Sequence, residues 1–474
     1  MKYGARLWLG LGLMAAVGAC AGRNLPPEPD SYVAADAISA ERAAELAASP
    51  AATWLDDLNS TEMSTLAREA LAGSPDLQIV EAQYRAARWR ARGAFGGNLL
   101  PSLEVGVDGT RTEEPITGSD ARLRTEVMTS NVVARWEIDL WGRLASRALA
   151  SDLSADAARE DLNGARLSVA GQASRAWVNL IEAQQLLALA QEDLQTRERA
   201  LDLTQRRYDA GIATSLALRT ARSQVASARA FEAQAQDSLL IASRRLQEIM
   251  GRYPDGTLRA QGTLPELPPL AAAGAPADLL ERRPDVLAAE NRMRAAGFRM
   301  HEARAAMLPR LTLTGTAGNS GAALNQIDDS ANMITNLIAG ISMPIFNGGA
   351  LLAESRATVA DRRAAASDYV RTSIAAWREV EGTISADQSL DIRETQFAIA
   401  ADEAREAQEL AEREYARGVA TLFELIDAYT RRIDAERGLI QARAARVSNR
   451  ITYHVALGGG ARTGGIDEDR DLAP

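Results

Sequence analysis

The spacing of apolar and polar residues changes several times along this chain, and the changes divide it into elements. In four stretches the period is two. Leu103, Val105 and Val107 alternate with Glu104, Gly106 and Asp108, while Met128, Ser130, Val132 and Ala134 alternate with Thr129, Asn131, Val133 and Arg135. Leu311 and Leu313 alternate with Thr312 and Thr314, and a further run covers Thr335 to Met343. Successive side chains of a strand point to opposite faces, so these stretches predict strands at about 102–112, 127–139, 310–319 and 335–346. A polar, Gly-bearing loop joins each pair. Segments of roughly ten residues suit the tilted strands of a membrane barrel. A soluble two-stranded ribbon is the other reading of the same alternation.

Elsewhere the period is helical. Leu180, Leu187, Leu194, Leu201 and Tyr208 fall at strict sevens, the spacing of a coiled-coil seam. Proline is absent between Pro115 and Pro254 and again between Pro344 and Pro474. An interior proline costs a helix about 3 kcal/mol, so these gaps have room for long helices at 142–208 and 349–415, each about 100 Å in length. The second carries Trp377, Val380, Ile384, Phe397 and Leu410 among alanines and polar residues. Shorter helices are expected after them at 214–250 and 421–457, and before them at 60–99 and 277–307. Pro254, Pro265, Pro268, Pro269 and Pro276 make 251–276 an extended linker.

The two halves repeat. Tyr208, Gly211, Ala213, Thr214, Leu218 and Ala221 recur as Tyr415, Gly418, Ala420, Thr421, Leu425 and Ala428. Ser74-Pro75-Asp76 recurs as Arg283-Pro284-Asp285, and Leu100-Pro101 as Leu308-Pro309. Asp139-Leu140-Trp141-Gly142 has a looser echo in Ile345-Phe346-Asn347-Gly348. This is a tandem duplication, with repeats at 60–250 and 277–457 and a flexible C-terminal tail at 458–474. Gly211 and Gly418 fit helix C-caps that need positive φ, so each Tyr-x-x-Gly reads as the tip of a helical hairpin.

Composition removes several function classes. The formal net charge is −10 and no basic stripe stands out, which argues against a nucleic-acid partner. Lys2 is the only lysine, excluding both a P-loop and a Schiff-base mechanism. His301 and His454 are the only histidines, and neither sits in a metal or triad pattern. No Gly-x-Ser-x-Gly elbow is present, so an enzyme is not expected, nor any metal or cofactor.

The N-terminus reads as an export signal. Lys2 and Arg6 precede an apolar run from Leu7 to Val17, too short to span a bilayer as a mature helix. The run leads to Val17-Gly18-Ala19-Cys20, which resembles a bacterial lipoprotein signal. Residues 1–19 would be removed, and Cys20 would carry lipid at the head of an extended segment, 20–59. Cys20 is the only cysteine, so no internal disulfide exists. An ordinary secreted protein with an incidental cysteine is the alternative. Cleavage removes two positive charges and no acids, taking −10 to −12.

Lipid leaves no backbone group unpaired at tolerable cost, so a membrane sheet must close. Four strands cannot close, since small barrels begin at eight. Several copies must therefore share one barrel. The helices, with too little apolar surface for a monomeric core, would likewise need neighbours.

These residues resemble the outer membrane factor family of TolC-like channels, in its lipoprotein, NodT/OprM-like branch. The resemblance covers essentially the whole mature chain. It rests on Cys20, the duplication, the stretch Trp136 to Gly142, Arg282-Arg283-Pro284-Asp285, Leu308-Pro309 and the two Tyr-x-x-Gly tips. It implies a mostly α fold with a membrane β-barrel. Three copies would form an α-barrel of twelve long coiled helices continued by a shared twelve-stranded β-barrel, four strands per chain. It also implies a lipid-anchored place in the outer membrane with a large periplasmic part, and partnership with a periplasmic adaptor and an inner-membrane pump. The function implied is the exit channel of a tripartite efflux system for drugs or other small toxic molecules. A type I protein-secretion duct and a non-pore coiled-coil lipoprotein are the alternatives.

The resemblance also assigns residues. Tyr208, Gly211 and Gly418 would form hairpin-tip turns at the periplasmic entrance, with Tyr415 at the gate. Glu424 and Asp427 would be aperture acids. Being i and i+3, they share a helix face, and three-fold repetition would stack them as two cation-attracting rings. The first copy has Ala217 and Thr220 there. A merely solvated acidic face is what the residues alone equally allow. Ala420 and Ala217 stand where the family can place a locking Arg–Asp pair. Closure is therefore expected to rest on Tyr415, with Arg417 or Arg206 in place of the missing arginine.

Overall fold

The computed structural model describes residues 54–115, 117–118, 120, 122–270, 281–321 and 333–459. The signal segment and Cys20 lie outside them. A 3-10 turn, Trp54–Leu58, precedes α1 (Thr61–Gly73), α2 (Pro75–Leu99), β1 (Ser102–Pro115), β2 (Arg122–Ile138), α3 (Arg143–Asp209) and α4 (Ser215–Ile249). The second half supplies α5 (Pro284–Ala305), β3 (Arg310–Gly321), β4 (Met333–Ser342), α6 (Ala350–Arg417) and α7 (Leu422–Ala456).

Local chemistry sets the breaks, and some fall where the pattern did not place them. The helix expected over 60–99 is two helices. Ser74 is extended, at φ −62 and ψ 122, because a residue before proline is pushed out of the α region. Pro75 then opens α2, where its missing N–H costs nothing. Arg283 and Pro284 repeat the arrangement at α5, with ψ 122 at Arg283. Gly142 and Gly349 are left-handed N-caps at φ +69 and +84, preceding α3 and α6 rather than joining them. β4 ends at Ser342 and not at 346, since Pro344 cannot donate to a ladder.

The four strands form one antiparallel sheet in the order β1-β2-β3-β4. Its register puts Val105 beside Val132, Val132 beside Ala317, and Leu313 beside Ala339. One face is therefore apolar across all four strands: Leu103, Val105 and Val107, then Val132 and Trp136, then Leu311 and Leu313, then Leu337 and Ile341. The opposite face is mixed, with Glu104, Asp108, Asn131, Arg135, Thr312, Thr314 and Asn336 beside Val127, Val133, Ile334 and Ile338. Leu103 is 73% exposed, and Leu337 and Ile341 are each 76% exposed. Among the described residues β1 and β4 have no second neighbour. Among the described residues no helix is long and apolar enough to cross a membrane, which says nothing of a β-barrel.

Below the sheet α2, α3, α5 and α6 pack side by side in that order, and further down α4 joins α3 and α7 joins α6. A core forms midway, contrary to the expectation that one copy has none. Trp54, Leu55, Leu58 and Met63 pack with Trp177, Leu180 and Ile181 of α3, Leu246 of α4 and Met250 at its C-cap, and Ile451 of α7. The linker closes it. Gln184 donates to the Ala260 carbonyl (3.0 Å) and accepts from its N–H (2.8 Å), and Glu62 accepts from the N–H groups of Gln261 and Gly262. The leucine seam does not stay inside. Leu180 is buried, but the buried line then passes through Asp193, Thr196 and Thr204, and Tyr208 is 40% exposed. An α-helix drifts by about 20° per heptad, so over 67 residues a strict seven rotates off the contact.

Candidate functional site: the helical tips

The two hairpin tips pack against each other at the end remote from the sheet. Ala221, Tyr415, Leu422, Leu425 and Tyr429 make a small core there, flanked by Leu201, Ala217 and Ala420. Each turn is closed in the same way. Gly211 (φ +73) donates to the Tyr208 carbonyl at 2.9 Å, and Ile212 donates to that of Arg207 at 2.8 Å. Gly418 (φ +78) donates to the Tyr415 carbonyl at 3.0 Å, and Val419 to that of Glu414 at 3.0 Å. Thr214 and Thr421 then cap α4 and α7. This is the Schellman closure, for which glycine is suited.

Tyr415 is 4% exposed and joins the two tips. Its hydroxyl lies 2.9 Å from the Thr204 hydroxyl on α3. Arg207 donates from Nη1 to the Tyr415 carbonyl at 2.5 Å, and its guanidinium carbon sits 4.8 Å from the centre of the Tyr415 ring. The expected substitutes, Arg417 and Arg206, are not used: Arg206 pairs instead with Asp202 on its own helix at 2.9 Å. Arg207 faces the ring because it is one residue before Tyr208, on the side of α3 turned toward α6.

The two acids behave differently. Glu424 completes a capping box: its carboxylate accepts from the Thr421 N–H (2.6 Å) and hydroxyl (2.9 Å), while its own N–H donates to the Thr421 hydroxyl. Those donors hold its carboxyl below the usual range, so it stays ionised into acid. Asp427 accepts from Arg431, one turn along, at 2.7 Å, and that contact raises the guanidinium in turn. Tyr429 behind them is pushed well up by burial, with Glu412 adding to the effect. Glu424 and Asp427 are exposed, and Tyr208 stays on the outer rim of its tip. No group of three or more metal-ligating side chains occurs among the described residues.

A sequence profile for the outer membrane efflux protein family matches residues 66–252 and 275–459. The chain belongs to that family. It is similar to outer membrane protein OprJ of Pseudomonas aeruginosa, 30% identical over 471 residues covering 96% of this chain and 95% of the relative. It is similar also to the pyoverdine export outer membrane protein OpmQ of Pseudomonas putida, 30% identical over 430 residues, covering 88% and 90%. Among solved structures it resembles the outer-membrane channel OprN, with TM-score 0.80 and 26% identity over 86% of this chain and 92% of that one. VceC of Vibrio cholerae gives 0.77 and 25% over 86% and 99%. As an outer membrane efflux protein, the chain is a transport conduit of the outer membrane and not an enzyme.

Proposed function

We propose that three copies of this chain form the exit channel of a tripartite efflux system, with a twelve-stranded barrel in the outer membrane and a twelve-helix tunnel beneath it. The observation that carries the reading is the sheet: a continuous apolar face, a more polar opposite face, and open edges on β1 and β4. In lipid such edges must be paired, and copies of the same sheet supply the pairing with the apolar face outward. The tips then surround the periplasmic entrance, where a periplasmic adaptor and an inner-membrane pump dock. Cys20 carries the lipid anchor. The cargo is a small organic compound, as the names of relatives for pyoverdine export, toluene efflux and antibiotic efflux suggest. Tyr415, Thr204 and Arg207 hold the entrance narrow, and Glu424 and Asp427 line it as two acidic rings. The test is purification from outer membranes, gel migration with and without heating, and conductance in planar bilayers. Trimer-sized, heat-modifiable protein that opens cation-preferring channels is expected. A folded, water-soluble single copy would overturn the reading.

A further inference from the structure

A tube of helices gives each helix a tunnel side and a periplasmic side, and contacts within one copy tell the two apart. The core of Trp54, Trp177 and their neighbours lies on one side of α3. Three such cores inside a ring would fill it, so that side faces outward. Asp161 stands 16 residues, about 160°, round α3 from Trp177, and it accepts from Arg292 of α5. Arg299 donates to the Ser154 hydroxyl at 2.7 Å, and Arg147 to Glu302 at 2.6 Å, along the same stripe. These contacts mark the tunnel side. Two residues on from Arg292 and Arg299, about 200° round the helix, Arg294 and His301 face outward on α5, with Arg304 one turn above His301. Leu149 and Asp156, five residues from Ser154 and Asp161, face outward on α3 by the same count.

The repeat carries that outer side to the other two helices. The offset of 209 that relates Pro75 to Pro284 takes Arg294 and His301 to Arg85 and Arg92 on α2. The offset of 207 that relates the two tips takes Leu149 and Asp156 to Arg356 and Arg363 on α6. All six basic residues are exposed, and they stand at two depths. Arg92, His301 and Arg356 lie seven residues from Leu99, Leu308 and Gly349, about 10 Å below the sheet. Arg85, Arg294 and Arg363 lie fourteen residues away, about 21 Å below it. In the upper row Arg92 rests over Trp89, and Arg92, Arg304 and Arg356 have no acidic partner among the described residues. In the lower row Arg85 is already paired with Glu81 at 2.8 Å. Above both rows Phe95, Trp141 and Phe346 are exposed where the sheet meets the helices, the level at which aromatic rings mark a membrane–water boundary.

We infer that Arg92, Arg304 and Arg356 form an outward collar that binds the phosphate groups of anionic phospholipid in the leaflet facing the periplasm. This rests on the channel reading above and adds the lipid that the channel selects. The headgroup zone extends about 5–8 Å beyond each face of the hydrocarbon. An arginine stem lies along the protein while its guanidinium stays in the polar layer, so the upper row reaches that zone and the lower row does not. The guanidinium fork matches a phosphate in two-bond geometry. Charge agrees with the placement: from Tyr84 to Leu99, α2 has four arginines and no acid in a chain of net charge −10. Such a local basic excess is drawn to an anionic surface and is indifferent to a neutral one.

Trimers reconstituted in nanodiscs of phosphatidylglycerol or of phosphatidylcholine test it. The wild type should dissociate at a higher temperature in phosphatidylglycerol, and salt should narrow the gap. Arg92→Gln, Arg304→Gln and Arg356→Gln together should abolish the gap, and each alone should reduce it, so the result does not hang on the triple variant assembling. Arg85→Gln, Arg294→Gln and Arg363→Gln together should leave it. Arg92→Lys, Arg304→Lys and Arg356→Lys together should keep most of it, which separates charge from packing. One arginine at an anionic surface strengthens attachment roughly five-fold, so native mass spectra of the upper glutamine triple should show retained phosphatidylglycerol falling by at least that factor. No lipid preference in the wild type, or equal loss in the upper and lower triples, would overturn the collar while leaving the channel standing. A wild type that forms no trimer in either bilayer would sink the channel reading itself.

Discussion

Arg207 makes two different contacts to one residue, and the gate prediction follows from adding them. Its Nη1 donates to the Tyr415 carbonyl while its guanidinium lies over the ring. A cation–π contact at an exposed site contributes about 0.5–1 kcal/mol and a charged hydrogen bond about 1.5–3. A combined loss of about 2 kcal/mol is roughly a thirty-fold change in population. Arg207→Met keeps the stem and loses both contacts, so it should raise the open fraction of single channels by that order. Unchanged gating would mean the tips are held elsewhere. The acids give a second prediction. Glu424 is held below 4.5, the ordinary value for its carboxyl, so cation preference should persist as pH falls through 4.5. The sign for stability is the same: a carboxyl lowered by folding supports the cap above its unfolded pKa and loses that support only as pH falls through the folded value. Glu424→Gln, which retains a capping acceptor, should weaken selectivity while α7 stays capped. Arg431→Ala should strengthen it, because Arg431 offsets the charge of Asp427. Bilayer reversal potentials read both, and a flat response in both variants would remove these acids from the pore.

Strands and helices answer to different evidence in this chain. Along β4, Leu337 and Asn336 are adjacent but point to opposite faces, beside Gly315 and Thr316 respectively. Leu337→Arg puts a charge on the lipid side, at a cost of about 2–4 kcal/mol near the bilayer midplane, whereas Asn336→Arg stays on the wet side. The first should abolish heat-modifiable trimer and the second should leave it. Equal tolerance would mean the apolar face does not meet lipid. That two-residue period was readable in β1 to β3, where polar residues dominate one side, though less so in β4, where Ile334 and Ile338 share the side of Asn336; the long helices were readable because proline is missing from them. What was not readable depends on three dimensions. The core around Trp54 and Trp177 is assembled from segments more than a hundred residues apart, and a proline-rich linker gives no hint that its backbone is held by Gln184 and Glu62. At the site, the tip glycines showed themselves by repetition. The Arg207 contact did not, because nothing in a linear pattern says which of Arg206 and Arg207 turns toward α6.

At the scale of the whole molecule, composition supplies a chemical handle on the anchor. Lys2 is the only lysine, and it lies within the segment that signal cleavage would remove. A mature chain beginning at Cys20 therefore has one primary amine at most, its own N-terminus, and acylation of that amine leaves none. Arginine carries every other basic charge apart from the histidines, and a guanidinium remains protonated at the pH where amines react. Purified protein treated with an amine-reactive fluorophore should thus stay dark if Cys20 is fully acylated. It should take up one label if only the sulfur is modified, and two, at Met1 and Lys2, if the signal is retained. Cys20→Ser, which removes the sulfur that lipid would occupy, should convert a dark protein into a labelled one without altering the sheet or the tips. The labelling count separates tethering from folding: a dark wild type and a bright Cys20→Ser variant that still forms trimers would show that the lipid positions a channel already able to assemble. A wild type with one label would mean that its N-terminal amine is free while the sulfur can still carry lipid, and one with two labels would mean that the signal is retained.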